Sequence, residues 1–109
     1  MRKKKIKIPI YGGILIIILD KDLSYVEKKY KTRSLINYGA VTIQDENKFG
    51  NYIVAFECKD RSLIAHEIVH IINYIFIDNC VELDRQNDET QAYLTGWLFN
   101  KIEKFIYKL

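Results

Sequence analysis

The sequence predicts a small α+β domain, with a mainly antiparallel sheet of about four strands packed against two long helices. The length of 109 residues suits one domain, spanning residues 1–109. Hydrophobic residues make up 49% of the chain and aromatic residues 13%, which is enough to fill a single core. Four strand-like runs and two long helical patterns underlie this prediction.

The first half of the chain supplies the strands. Lys5–Ile10 alternates lysine and isoleucine with a two-residue period, as a half-exposed strand does. Ile14–Leu19 is an aliphatic run that suits a fully buried strand. Asp22–Lys31 has the apolar spacing of a short helix. Tyr38–Gln44 and Tyr52–Glu57 are strand-like, and the polar, glycine-containing turn between them predicts a hairpin.

Two helices fill the second half. Asp60 can cap a helix running to about Asp78, whose apolar residues cover nearly every direction around the axis. Such a helix is expected to be the buried spine of the domain. After a polar connection over residues 79–87, Asp88 begins the final helix, with Gln91 three residues later as its partner in a capping box.

Charge and cysteine content narrow the function classes. The formal net charge of +3 is too small to indicate nucleic acid, so no nucleic-acid partner is expected. A DNA-binding or regulator-binding surface formed by the basic runs is the less favoured interpretation. Cys58 and Cys80 could form at most one bridge, whereas small secreted scaffolds usually have more. We interpret both cysteines as reduced and buried, in a cytoplasmic protein.

The N-terminus has some features of a secretory leader, because basic Arg2–Lys5 precedes the apolar run Ile14–Leu19. Pro9 and two glycines interrupt the segment, and no small-residue cleavage site follows it. The apolar run is also far shorter than the roughly 20 residues that cross a bilayer. We therefore expect neither secretion nor membrane association.

Both histidines of the chain lie in the five-residue segment His66-Glu67-Ile68-Val69-His70. On a helix, residues four apart share a face, so the two imidazoles can converge on one metal ion. Glu67 projects beside that ion, where it can hold and deprotonate a metal-bound water. This H-E-x-x-H pattern is typical of zinc metallopeptidases and indicates a metal, a base and a reaction class together.

Two histidines do not complete a catalytic zinc site, which uses three protein ligands and one open position. The missing ligand must be a carboxylate or a thiolate, and the downstream carboxylate candidates are Glu82, Asp84, Asp88 and Glu89. We favour Glu89, because the first turn of the last helix holds it rigidly. Ala92 and Gly96 share its side of that helix, which predicts close packing against the motif helix.

A second pattern follows the motif, in the segment Asp88-Glu89-x-x-Ala92-Tyr93-Leu94-x-Gly96-Trp97. With both patterns, residues 60–100 resemble the gluzincin metallopeptidases, and most of all their minimal members in bacteria and phages. The resemblance implies a zincin-like fold and a Zn²⁺ ion held by His66, His70 and Glu89. Larger gluzincins have an aspartate four residues after the ligand glutamate, where this chain has Tyr93.

The expected activity is zinc-dependent hydrolysis of a peptide or protein substrate, with Glu67 as general base. Tyr93 is the catalytic candidate for steadying the oxyanion, with Tyr74 and Arg85 as alternatives. The strand Tyr52–Glu57 is expected to offer its edge to an extended substrate. The main alternative is a non-catalytic interaction or regulatory protein that retains the metal site. A third interpretation is a helix face that binds no metal.

Overall fold

The computed structural model describes all 109 residues, as four strands and three helices. They are β1 (Arg2–Lys7), β2 (Ile14–Leu19), α1 (Ser24–Tyr30), β3 (Ala40–Gln44), β4 (Asn51–Phe56), α2 (Arg61–Asp78) and α3 (Glu89–Tyr107). The predicted α+β class is confirmed. None of the helices combines the length and hydropathy needed to cross a bilayer.

The four strands form one mixed sheet in the order β1-β2-β4-β3. β1 pairs antiparallel with β2, and β3 and β4 form the predicted hairpin. β2 and β4 pair in parallel at the centre of the sheet, with Ile16 opposite Ile53. A parallel pair needs a crossover, which the segment containing α1 provides. β4 is therefore paired on both sides, and the prediction that Tyr52–Glu57 has a free edge is wrong; that edge belongs to β3.

The first strand lies earlier than its alternating pattern predicts, ending at Lys7 instead of Ile10. Pro9 has no N–H to donate to a neighbouring strand, so the ladder stops before it. The chain then turns, and Ile10 takes a positive φ of 70°. The strand Ile14–Leu19 has the predicted bounds.

The sheet has a core on each face. On one face, every second strand residue packs against α2 and α3, including Leu15, Ile17 and Val54. The intervening residues, including Ile16 and Ile53, pack with Leu23 and Val26 around α1. Burial of these aliphatic side chains stabilises each element by about 1.5–3 kcal/mol per residue.

Helix α2 begins as predicted, because the Asp60 carboxylate accepts a hydrogen bond from the backbone N–H of Ser62 at 2.8 Å. It is not buried on every side: Val69 is 58% exposed and Ile77 69% exposed. One face of α2 is therefore open to solvent, and this face contains the motif histidines.

The predicted capping box on α3 is wrong, since the Asp88 side chain makes no capping hydrogen bond.

Candidate metal centre

The two motif histidines converge on the solvent face of α2. Their Nε2 atoms are 3.3 Å apart, and the ring planes meet at 69°. Two imidazole nitrogens bound to one tetrahedral zinc ion at 2.0–2.1 Å would stand about 3.3 Å apart. The separation thus fits a shared Zn²⁺ ion. A direct N–H···N hydrogen bond between neutral rings is the other arrangement compatible with this distance.

Glu67 completes a group of three donors, because donor atoms of His66, Glu67 and His70 all lie within 4.8 Å of one another. Its Oε2 atom is 3.9 Å from Nε2 of His66. In contrast to the exposed histidines, Glu67 is only 4% exposed. Burying an unpaired carboxylate would cost several kcal/mol, so it must be compensated by a hydrogen bond or a nearby cation.

That hydrogen bond comes from the sheet. The Thr42 hydroxyl of β3 donates to Oε1 of Glu67 at 2.8 Å. Thr42 and Glu67 are the only buried polar or charged residues in the protein. Sequence reasoning missed Thr42, although its strand contained a signal: Ala40 and Thr42 alternate on the side of β3 that faces α2. A hydroxyl at an inward strand position beside the motif helix indicates a buried polar partner.

Helical periodicity explains why the two histidines and Glu67 lie on different faces of α2. His66 and His70 are four residues apart and share the outward face, whereas Glu67 is rotated by about 100° towards β3. A shallow groove runs along this side of α2. Its lining residues are Asn37, Tyr38, Gly39, Ala40, Leu63, His66 and Glu67. One histidine and the buried carboxylate therefore face the same groove, beside an edge strand.

On the other side of the histidines, α2 and α3 enclose an apolar pocket of about 210 Å³. Its lining residues are Ala65, Ile68, Val69, Ile72, Asn73, Leu83, Gln91, Thr95 and Phe99. Val69 lies three residues after His66, and Asn73 three residues after His70, so this wall adjoins the histidine face. The histidines thus lie between a groove at the sheet edge and an apolar pocket.

The small-residue stripe on α3 does not pack as predicted. Gly96 is exposed, and a Cβ atom built there would meet nothing within 4 Å. Ala92 and Glu89 are exposed too. The side of α3 that packs inward is set by Leu94 and Leu98, which are fully buried and point away from this stripe. Close packing by glycine is therefore not what positions Glu89.

The third ligand is not among the convergent donors. Glu89 lies at the start of α3, outside the group formed by His66, Glu67 and His70. The rival carboxylates Glu82, Asp84 and Asp88 are exposed and lie outside that group as well. The assignment of Glu89 stays a prediction, now without the packing argument.

None of the predicted oxyanion donors lines the groove. Tyr93 is 54% exposed on α3. Tyr74 stacks on Tyr52, with ring centroids 6.5 Å apart, and Arg85 is exposed in the connection between α2 and α3. Tyr38, which sequence reasoning missed, does line the groove, and its hydroxyl accepts a hydrogen bond from Arg33 Nη2 at 2.9 Å. An accepted bond from a guanidinium leaves the phenol proton available for donation.

Both cysteines are free thiols, as predicted. They are exposed, however, so the prediction that Cys58 and Cys80 are buried is wrong. Cys58 lies two residues after the end of β4, and Cys80 lies in the turn after α2, beyond the elements that cover the core.

Comparison with known protein families, curated proteins and solved structures finds no match for this chain. The resemblance to gluzincins therefore stays an inference from the motif residues.

Proposed function

We propose that this protein is a zinc-dependent peptidase of the gluzincin type, acting on a peptide or protein substrate. The observation that supports this proposal most is the 3.3 Å separation of the His66 and His70 Nε2 atoms, with the buried carboxylate of Glu67 beside them. This donor set suits Zn²⁺. A carboxylate as the third ligand, beside the two histidines, would leave one open position for catalysis.

Each residue has a separate role in the proposed reaction. His66 and His70 hold the zinc, and Glu89 is the proposed third ligand. Zinc would polarise the substrate carbonyl and lower the pKa of water to about 7. Glu67 removes a proton from the attacking water and then delivers it to the amide nitrogen of the leaving group. Its burial keeps the carboxylate in one place for both transfers.

The surroundings of the site favour a peptide over a small molecule. β3 lies at an edge of the sheet and lines the groove next to Glu67, so its free backbone groups can pair with an extended chain. The histidines are exposed, which leaves the site open to a large substrate. Tyr38 lines the groove, and we propose it as a donor to the carbonyl oxygen of the substrate; Tyr93 is the donor proposed from the sequence.

We place the proposed activity in the cytoplasm. Two exposed thiols, Cys58 and Cys80, remain unpaired, which is typical of a reducing compartment. No nucleic-acid partner is needed for the reaction.

The decisive experiment combines metal analysis with peptide hydrolysis. Protein purified without a histidine tag should bind about one zinc ion per chain and cleave members of a mixed peptide library, followed by mass spectrometry. Glu67→Gln should bind zinc equally well but hydrolyse at least roughly 100-fold more slowly, because a general base contributes 10²–10⁴-fold. The exposed Glu57→Gln is the matched control and should behave as wild type. Equal cleavage by Glu67→Gln would refute the proposed mechanism.

The second candidate function is a non-catalytic metal-binding regulator. It is favoured by one observation, namely that no carboxylate other than that of Glu67 converges with His66 and His70, so three ligands and a separate base are not assembled together. Stoichiometric zinc binding without cleavage of any library peptide would support it. X-ray absorption spectroscopy separates the two functions further, since structural zinc has four protein donors and catalytic zinc keeps one position for solvent.

A further inference from the structure

We infer that Thr42 is a positioning residue that determines which oxygen of Glu67 takes and releases the proton. Oε1 would be the anchored atom and Oε2 the working atom. This inference rests on the proposed function, because it gives Glu67 the role of proton acceptor.

The contact itself is short and shielded from water. Thr42 is 8% exposed and Glu67 is 4% exposed. The Thr42 Oγ1 atom is 2.8 Å from Oε1 and 3.4 Å from the main-chain oxygen of Glu67. A hydroxyl group has one proton to donate, so the shorter contact is the hydrogen bond. Oε1 is therefore already engaged by a donor.

The other oxygen faces the histidines. Oε2 is 3.9 Å from Nε2 of His66, on the side where the two imidazoles converge. A proton arriving from that side meets Oε2 first. If it bound Oε1 instead, the oxygen that accepts from Thr42 would become a neutral hydroxyl oxygen and a poorer acceptor, so a buried hydrogen bond would be weakened. The two oxygens consequently differ in role, although they are chemically equivalent in an isolated carboxylate.

Thr42 can maintain this difference because the sheet holds it. β3 pairs with β4 in a fixed register that places Thr42 opposite Val54, which is fully buried. The last torsion of a glutamate side chain is broad and nearly two-fold, so an unanchored carboxylate exchanges its oxygens freely. A hydroxyl on a rigid strand removes that freedom, and it leaves Glu67 oriented before the substrate binds.

Substitution of the hydroxyl group tests this directly. Thr42→Val keeps the β-branched shape and removes the donor, whereas Thr42→Ser keeps the donor. We expect Thr42→Val to lower kcat roughly 10- to 100-fold, with KM and zinc affinity within about 2-fold of wild type. Thr42→Ser should retain kcat within about 3-fold. Thr32→Val is the control, because the Thr32 hydroxyl donates only to the neighbouring Arg33 carbonyl.

A second readout does not depend on turnover. In zinc-free crystals of Thr42→Val, the Glu67 carboxylate should rotate or occupy two orientations, while in Thr42→Ser it should keep the wild-type position. Should Thr42→Val fail to fold, Thr42→Cys provides the same contrast with Thr42→Ser, since a thiol is a far weaker donor. An unmoved carboxylate in the variant without a hydroxyl would overturn the inference, as would equal loss of kcat in Thr42→Ser. If the wild-type protein cleaves no peptide, the proposed function fails, and the crystal comparison still shows whether Thr42 orients Glu67.

Discussion

The Tyr52 hydroxyl of β4 donates a hydrogen bond of 2.6 Å to Oδ2 of Asp78, the last residue of α2. Gln44 of β3 donates to the same carboxylate at 3.1 Å. Together with the bond between Thr42 and Glu67, these contacts attach α2 to the β3–β4 hairpin in its middle and at its end. The helix with the two histidines is therefore hydrogen-bonded to the sheet at two points along its length, although its outer face is open to solvent.

Removal of the Tyr52 hydroxyl should destabilise the protein. Tyr52 is 1% exposed, and its partner is charged, so Tyr52→Phe should lose about 1.5–3 kcal/mol of unfolding free energy. Urea unfolding followed by circular dichroism measures this. Tyr11→Phe is the control, since the Tyr11 ring packs on Phe76 and the substitution keeps that contact. Equal stability of the Tyr52 and Tyr11 variants would contradict the importance of the hydrogen bond.

The same tyrosine should make the free energy of unfolding decrease at alkaline pH. Burial, the hydrogen bond to Asp78 and the negative charge of Asp78 all raise the pKa of Tyr52 above its ordinary value of 10.0. The unfolded chain therefore loses this proton first, and the stabilisation is complete below about pH 10. Above that pH the tyrosine's contribution should fall by about 1.4 kcal/mol per pH unit. Unfolding at several pH values should show this decrease in wild type and a smaller one in Tyr52→Phe; parallel curves would refute it.

Zinc affinity should depend on both histidines and on one downstream carboxylate. His66→Ala and His70→Ala should each abolish stoichiometric zinc binding, measured by competition with a chromogenic chelator. Loss of a residue that only hydrogen-bonds to a metal ligand typically weakens metal binding roughly 10- to 100-fold, and Glu89→Gln should weaken zinc binding more than this. Glu82→Gln and Asp88→Asn are the controls and test the rival assignments. If one of them weakens binding while Glu89→Gln does not, the third ligand has to be reassigned.

Two tyrosines compete for the role of oxyanion donor. Tyr38 lines the groove beside Glu67, whereas Tyr93 does not line it. We expect Tyr38→Phe to lower kcat by roughly 100-fold or more, as the loss of one oxyanion donor does, and Tyr93→Phe to have the smaller effect. Steady-state kinetics of both variants on one peptide decides between them. The reverse order of effects would restore the sequence-based choice of Tyr93.

The turn between β1 and β2 should tolerate substitution of Gly12 far better than substitution of Gly13. At Gly13, φ is +92° and a Cβ atom would clash with the carbonyl oxygen of Gly50. Gly12 has a φ of +77° but open space around it. Gly12→Ala should therefore lose about 1–2 kcal/mol from backbone strain alone, and Gly13→Ala distinctly more because the backbone must also move. Thermal or urea unfolding of both variants measures the difference, and equal losses would contradict the contact with Gly50.

Local pattern was sufficient for much of the fold and for the geometry of the motif. The aliphatic run Ile14–Leu19, the hairpin and the bounds of α2 follow from period and capping, which depend on neighbours in the chain. The convergence of His66 and His70 follows in the same way, because four residues make about one helical turn. These properties do not depend on the tertiary packing.

Contacts between distant segments could not be read from the chain. The parallel pairing of β2 with β4 depends on how the crossover through α1 packs, and it leaves β3 as the edge beside the site. Thr42 meets Glu67 across 25 residues of sequence, and Gly96 faces solvent although its spacing suggested close packing. The chain alone thus specified the histidine pair and its helix. Only the folded structure decided which strand anchors the carboxylate, because side-chain burial and partners depend on the packing of whole elements.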